Sequence, residues 1–120
     1  MQNSIPGETQ QSSIVGGWLN SINNDSDYNF IGGGVRNKLG RTDNVLWTNY
    51  SSILGGIDNE IYGDGIADYA AIVNGSGNTI VQHYSAIIGG ANLTANRSHT
   101  TFMQGLDVDT DHHGVTRSFK

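Results

Sequence analysis

Apolar residues recur along this chain at fixed distances from a Gly-Gly pair. Taking the second glycine as position zero, it falls at Gly17, Gly34, Gly56, Gly75, Gly90 and Gly105. Position −3 holds Ile14, Ile31, Ile53, Ile72, Ile87 and Phe102, and position +5 holds Ile22, Leu39, Ile61, Ile80, Ala95 and Thr110. Position −6 holds Gln11, Tyr28, Tyr50, Tyr69, Tyr84 and His99. Position +3 holds Asn20, Asn37, Asn59, Asn78, Leu93 and Val108. Six copies of a twelve-residue phrase thus align without an internal gap. A unit this short cannot bury its own apolar face, so the pattern predicts stacking. The expected fold is all-β: a parallel β-solenoid, β-roll or β-helix, of about six short coils. Between the phrases lie residues 23–27, 40–49, 62–68, 81–83 and 96–98. A fixed phrase with variable connections is what loops on one edge of a stack produce. The shortest period, fifteen residues, is too short for a helical hairpin, and β-branched residues dominate the phrase.

The phrase reads as two short strands around a Gly-Gly corner. Side chains alternate along a strand, so position −2 faces away from position −3. Position −2 holds Val15, Gly32, Leu54, Val73, Ile88 and Met103. Both faces are therefore apolar in five of the six repeats. One face fills the coil, and the other needs a cover that the chain has no second layer to supply. The economical cover is another copy of the chain, which makes this column an oligomer interface. Trp18, at +1 with Val35, Ile57 and Leu106, reads as core or interface. Glycine at zero permits positive φ or close backbone approach. Asn at +3 has two readings: a left-handed residue bonding its own backbone, or an amide ladder between coils. The tyrosine column is expected to stack or slide at the strand entrance. Equal columns also place Arg36 beside Asp58 at +2, and Lys38 beside Glu60 at +4, on an accessible face.

Composition narrows the choice. Only 36% of the residues are hydrophobic and 17 are glycine, a poor recipe for a compact core but a workable one for thin stacked coils. Charged residues are scarce at 14%, yet disordered chains rarely hold Ile, Gly and Asn at fixed offsets. The net charge of −5 leaves no basic stripe to neutralise phosphates, which argues against nucleic acid as a partner. There is no cysteine, hence no disulfide framework. No apolar run approaches membrane-spanning length, so membrane insertion is not expected. Residues 1–11 lack the apolar stretch of a signal peptide. Either export uses another signal, or the chain is a piece of a longer protein. The expected organisation is an N-terminal extension over 1–10, the solenoid over 11–110, and a C-terminal extension or junction over 111–120.

The segments Tyr50-Ser51-Ser52-Ile53-Leu54-Gly55-Gly56 and Tyr84-Ser85-Ala86-Ile87-Ile88-Gly89-Gly90, each followed by a segment at the Asn-x-Ile positions, resemble two related groups. One is the head of YadA-like trimeric autotransporter adhesins, whose repeats form a parallel β-roll in a trimer. The other, closer, is the Gly-Gly-x-x-Asn-x-Ile arrays of bacteriophage tail fibres and related virion fibres. Residues 100–109 are similar to the closing coil of such arrays. This resemblance spans about 11–110 and implies a homotrimer, with Val15, Leu54, Val73, Ile88 and Met103 at the interface. It implies a structural or adhesive fibre segment on a virion, joined to other fibre proteins through its termini and supporting attachment to a glycan or protein receptor. The longer loops, and the lack of a coiled-coil stalk and membrane anchor, depart from the adhesin pattern. A bacterial surface adhesin head is the nearest alternative, and a tailspike-type polysaccharide-degrading solenoid the next.

No catalytic constellation stands in the six phrases, and neither an enzyme nor a cofactor is expected. Glycoside cleavage needs two carboxylates at a set separation. Asp58, Glu60, Asp64 and Asp68 are better explained by contacts between coils. His83 and His99 read as stacking or solvated. Asp107, Asp109 and Asp111 share a strand face; a cation would relieve their repulsion, though the closing Glu of a calcium loop is missing. The plainer reading is an acidic end cap, paired with Arg117 and Lys120. Of the adjacent His112 and His113, at most one can face a symmetry axis and a transition metal. The longest connection, 40–49, carries Arg41, Asp43 and Trp47, the candidates for receptor contact, against a plainer role for Trp47 as a cover. Acceptor patterns for N-glycosylation at Asn49, Asn92 and Asn96 are expected by chance in so Asn-, Ser- and Thr-rich a chain. An ice-binding array is disfavoured, because +4 is irregular: Ser21, Lys38, Glu60, Thr79, Thr94 and Asp109.

Overall fold

The computed structural model describes residues 2–7, 9–23, 26–40, 48–63 and 67–105. Every strand is short, because each coil turns a corner after a few residues. The positions before the glycines form one parallel sheet of β1 (Ser13–Ile14), β3 (Phe30–Ile31), β5 (Ser52–Ile53), β7 (Ala71–Ile72), β9 (Ala86–Gly89) and β11 (Thr101–Met103), in that spatial order. The positions after them form a second parallel sheet of β2 (Ser21–Ile22), β4 (Lys38–Leu39), β6 (Glu60–Ile61), β8 (Thr79–Ile80) and β10 (Thr94–Ala95). The chain crosses from one sheet to the other and back, giving a β-solenoid of about five turns. The register is that of the sequence columns. Ile31 pairs with Ile53, Ile53 with Ile72, and Ile72 with Ile87. Leu39 pairs with Ile61, and Ile61 with Ile80. Among the described residues the register slips between Phe102 and Met103, where Met103 pairs with Gly89.

The core is two columns wide. Ile31, Ile53, Ile72 and Ile87 from one sheet meet Ile22, Leu39, Ile61 and Ile80 from the other, all fully buried. Each such side chain contributes roughly 1.5–3 kcal/mol by leaving water. So thin a core leaves much of the corner polar, and buried polar groups need partners. Asn20, Asn37, Asn59 and Asn78 are fully buried in a column. The Asn37 Oδ1 accepts both the backbone N–H of Asn59, at 3.0 Å, and its Nδ2, at 3.1 Å. The Asn37 Nδ2 in turn donates to the carbonyls of Gly33 and Gly56, both at 3.0 Å. Asn59 repeats the pattern with Gly55 and Gly75. The amide-ladder reading of position +3 is therefore the one realised.

Left-handed backbone falls on the neighbouring column instead. Leu19, Arg36, Asp58 and Asn92, at +2, have φ between 54° and 59°. Tyr28, Tyr50, Tyr69, Tyr84 and His99 at −6 are left-handed too, with φ of 53–57°. This conformation costs a β-carbon-bearing residue about 1–2 kcal/mol. What it gains is direction. Most backbone N–H groups donate to the following coil, as Val35 does to Gly56. At +2 and −6 they donate back, as Asp58 does to Val35 and Tyr69 to Asn49. Two reversals per coil tie each turn to both neighbours.

A second ladder runs through position −5. Ser12, Asn29, Ser51 and Ser85 donate to the carbonyls of Ser26, Thr48, Ala67 and Arg97 in the following coil. Asn29 Oδ1 and Ser51 Oγ also accept the N–H of Ser51 and Ala70. A third ladder caps the corner before it. Asp27, Asn49 and Asp68 accept, through Oδ1, the N–H of Gln10, Asp27 and Asn49, each at 2.7 Å. The residues just before the tyrosines are thus coil, not loop. What remains outside the fifteen-residue unit is 24–25, 41–47 and 63–66, which fall at the same point of the repeat along the sequence. The amide ladder also starts earlier than residue 11. Asn3 Oδ1 accepts from the Asn20 N–H and Nδ2, and Ser4 bridges Ser21, so Asn3-Ser4-Ile5 repeats Asn20-Ser21-Ile22.

Ala70, buried in the −5 column, is the missing rung of the second ladder. Ala70→Ser is expected to donate to the following coil and accept the Ser85 N–H, raising stability by about 0.5–1.5 kcal/mol. Asn37→Ala strips partners from Asn59 and two glycine carbonyls and is expected to cost roughly 2–5 kcal/mol. Denaturant unfolding of both variants checks the signs.

Candidate functional site

Three outward columns are built by the coil geometry. The first is apolar. Val15, Leu54, Val73, Ile88 and Met103 stand on one face with 37–72% of their surface exposed. Position −2 faces outward because position −3 faces inward on the same strand. Trp18 and Ile57, bridged to their column through Val35, are also exposed. Trp18 is therefore not a core residue, since the +1 column bridges neighbouring coils at the outside of the corner.

The second column is aromatic. Tyr28, Tyr50, Tyr69 and Tyr84 stack with centroids 4.8, 5.0 and 5.1 Å apart and ring planes within 3° of parallel. His99 continues the stack at 4.9 Å from Tyr84, and His83 meets both rings edge-on. The spacing is that of the coils, so the backbone sets the stack and the rings fill it. His83 and His99 are stacking residues in this geometry.

The third is charged. Arg36 reaches across one coil to Asp58, with Nε 2.6 Å from Oδ1 and Nη2 2.8 Å from Oδ2. This fork geometry joins the two residues placed in register by sequence alone. The hydrogen bond to Arg36, aided by its charge, holds the Asp58 carboxyl below its ordinary range, and the same bond holds the guanidinium above its own. Lys38 and Glu60 stand opposite each other in the adjoining strands. Together with Asn59 these four line an open hollow of about 240 Å³.

Among the acidic candidates, Asp58 is held by Arg36 and Asp68 caps the Asn49 N–H. Asp64 lies outside the described residues. So do Arg41, Asp43 and Trp47, and so do Asp107, Asp109, Asp111, His112 and His113. Among the described residues, no group of three or more His, Cys, Asp or Glu side chains is placed to hold a metal ion. No described helix is long and apolar enough to cross a membrane. Sequence reasoning missed the two inner polar ladders. Their signal was present in Ser12, Asn29, Ser51 and Ser85 at −5, inside the aligned phrase, and in Asp27, Asn49 and Asp68 at −7, which the unequal connections had placed among the loops. No protein-family model and no curated protein matches this chain.

Asp58 has a lowered pKa, so its contribution to stability is present above the ordinary carboxylate range. It fades as pH falls through the depressed value. The side chains are half exposed, which keeps the effect small and salt-sensitive. An NMR titration should find Asp58 ionising below a typical aspartate and returning to the ordinary range in Arg36→Ala.

Proposed function

We propose that this chain is a structural and adhesive segment of a trimeric viral or phage fibre, in which copies of the solenoid stand side by side. The supporting observation is the exposed apolar column of Val15, Leu54, Val73, Ile88 and Met103. It runs along one sheet, interrupted at Gly32, and among the described residues nothing lies over it. Contiguous apolar surface of this kind is where subunits meet. The resemblance of the Gly-Gly-x-x-Asn-x-Ile array to fibre repeats favours three copies and a virion setting. In that setting the coils supply length and stiffness, and the connection holding Arg41, Asp43 and Trp47 meets a cell-surface glycan or protein receptor. The termini join other fibre proteins.

Light scattering is expected to give a trimer at micromolar concentration, and a stable monomer would overturn the reading. Leu54→Asp separates the two cases. Leu54 is half exposed in a lone solenoid, where an acidic side chain would cost only about 1–2 kcal/mol and leave a folded monomer. At a subunit contact the same change buries an unpaired charge and dissociates the assembly. Trp47→Ala is expected to weaken adsorption of the parent particle to its host while leaving the trimer intact.

A further inference from the structure

Asn74 occupies a column that is otherwise nearly all glycine. Position −1 is Gly16, Gly33, Gly55 and Gly89 in four other coils, and Gln104 in the last. Asn74 is exposed, and its Oδ1 accepts the N–H of Gly75 at 2.8 Å. That contact folds the Asn74 side chain toward the Gly75 nitrogen, the atom that a five-membered ring through Cγ would have to include. Gly75 adds no β-carbon to hinder the approach, and its φ is +117°.

We propose that Asn74 is a site of spontaneous covalent modification, closing on Gly75 to a succinimide and opening to aspartate and isoaspartate. Base removes the Gly75 amide proton, and the nitrogen forms a bond to Asn74 Cγ. The Cγ–Nδ2 bond breaks, and the nitrogen leaves as ammonia. Water then adds to either imide carbonyl, giving a new carboxylate at position 74. No oxidant or cofactor enters the balance.

The other asparagines lack one or more of these conditions. Among the thirteen in the chain, Asn74 alone precedes glycine. Asn20, Asn37, Asn59 and Asn78 are buried, with their Nδ2 groups bound to glycine carbonyls. Gln104 has the right neighbour, Gly105, but would need a larger ring, and its Oε1 is engaged by the Ala91 N–H at 2.8 Å. Conversion at Asn74 has a structural consequence. Isoaspartate routes the main chain through one extra carbon between Val73 and Gly75. Val73 is pinned to Ile87, and the Gly75 carbonyl accepts from the Ile57 N–H and Asn59 Nδ2. A longer path cannot hold both registers, so the fourth coil loosens. The new charge also lands next to Val73 in the apolar column. The chemistry stands independently of the trimer reading.

The test is to age the intact protein at mildly alkaline pH and map peptides by mass spectrometry. An isoaspartyl methyltransferase serves as the probe for isoaspartate. The expected result is a gain of one mass unit in the peptide containing residue 74, roughly tenfold or more faster than at any ladder asparagine. Methyl acceptance should appear at the same site, and the aged protein should melt lower. Asn74→Gly restores the residue of the other coils, keeps the fold, and should abolish the mass change, the methyl acceptance and the ageing effect. An unmodified position 74 in the folded protein, while the urea-unfolded chain converts, would overturn the proposal. Equal conversion at the ladder asparagines would overturn it as well.

Discussion

Close approach of successive coils at the Gly-Gly corner is the constraint on which the other features depend. The space where a side chain would sit on Gly17, Gly34 or Gly56 is occupied by the carbonyl of the glycine one coil on, and by the amide of the coil's own asparagine. That carbonyl is the acceptor for the asparagine Nδ2 and for the +1 backbone N–H. Glycine and asparagine therefore work as a unit. The glycine brings the backbones together, and the asparagine supplies the donors that a dry corner would otherwise lack. Either residue alone would leave a clash or an unpaired polar group.

Among the described residues the ladder runs from Asn3, whose Oδ1 accepts from Asn20 and whose Nδ2 donates to the carbonyls of Gly16 and Gly17. At the other end, Leu93 uses its N–H to close on Asn78 Oδ1, and its side chain packs against the core with Phe102. The change from Asn to Leu at Leu93 trades polar continuity for apolar cover in the coil where Ile also gives way to the smaller Ala95. The slip at Met103 falls in the same last coil.

Placing donors and acceptors inside leaves the outside free to vary by column. The left-handed positions at −6 and +2 reverse the backbone hydrogen bonds, and their side chains are displayed outward. One of these columns became the tyrosine stack and the other carries Arg36 and Asp58. Between them lies the apolar face on which the fibre proposal rests. A scaffold whose interior is repetitive and whose surface columns are independent suits a fibre, because contacts can change without disturbing the stack.

The sequence by itself determined the repeat, the register and the inward or outward sense of each column. These follow from the period of two along a strand and from the fixed offsets of Ile31, Ile53 and Ile72 from their glycines. The Arg36–Asp58 pair followed from the same register. Tertiary structure decided between readings that local chemistry leaves equal. Asparagine tolerates left-handed backbone and also forms amide ladders, so Asn37 and Asn59 were ambiguous until the neighbouring coils supplied partners. The left-handed strain went to Leu19, Arg36 and Tyr50 as well as to Asp58, and the first three have no propensity for it, because only the stack can over-determine such a conformation. The same is true of Ser51, Asp27 and Asp68. Their hydrogen bonds cross from one coil to the next, and connections of unequal length hide that distance along the chain.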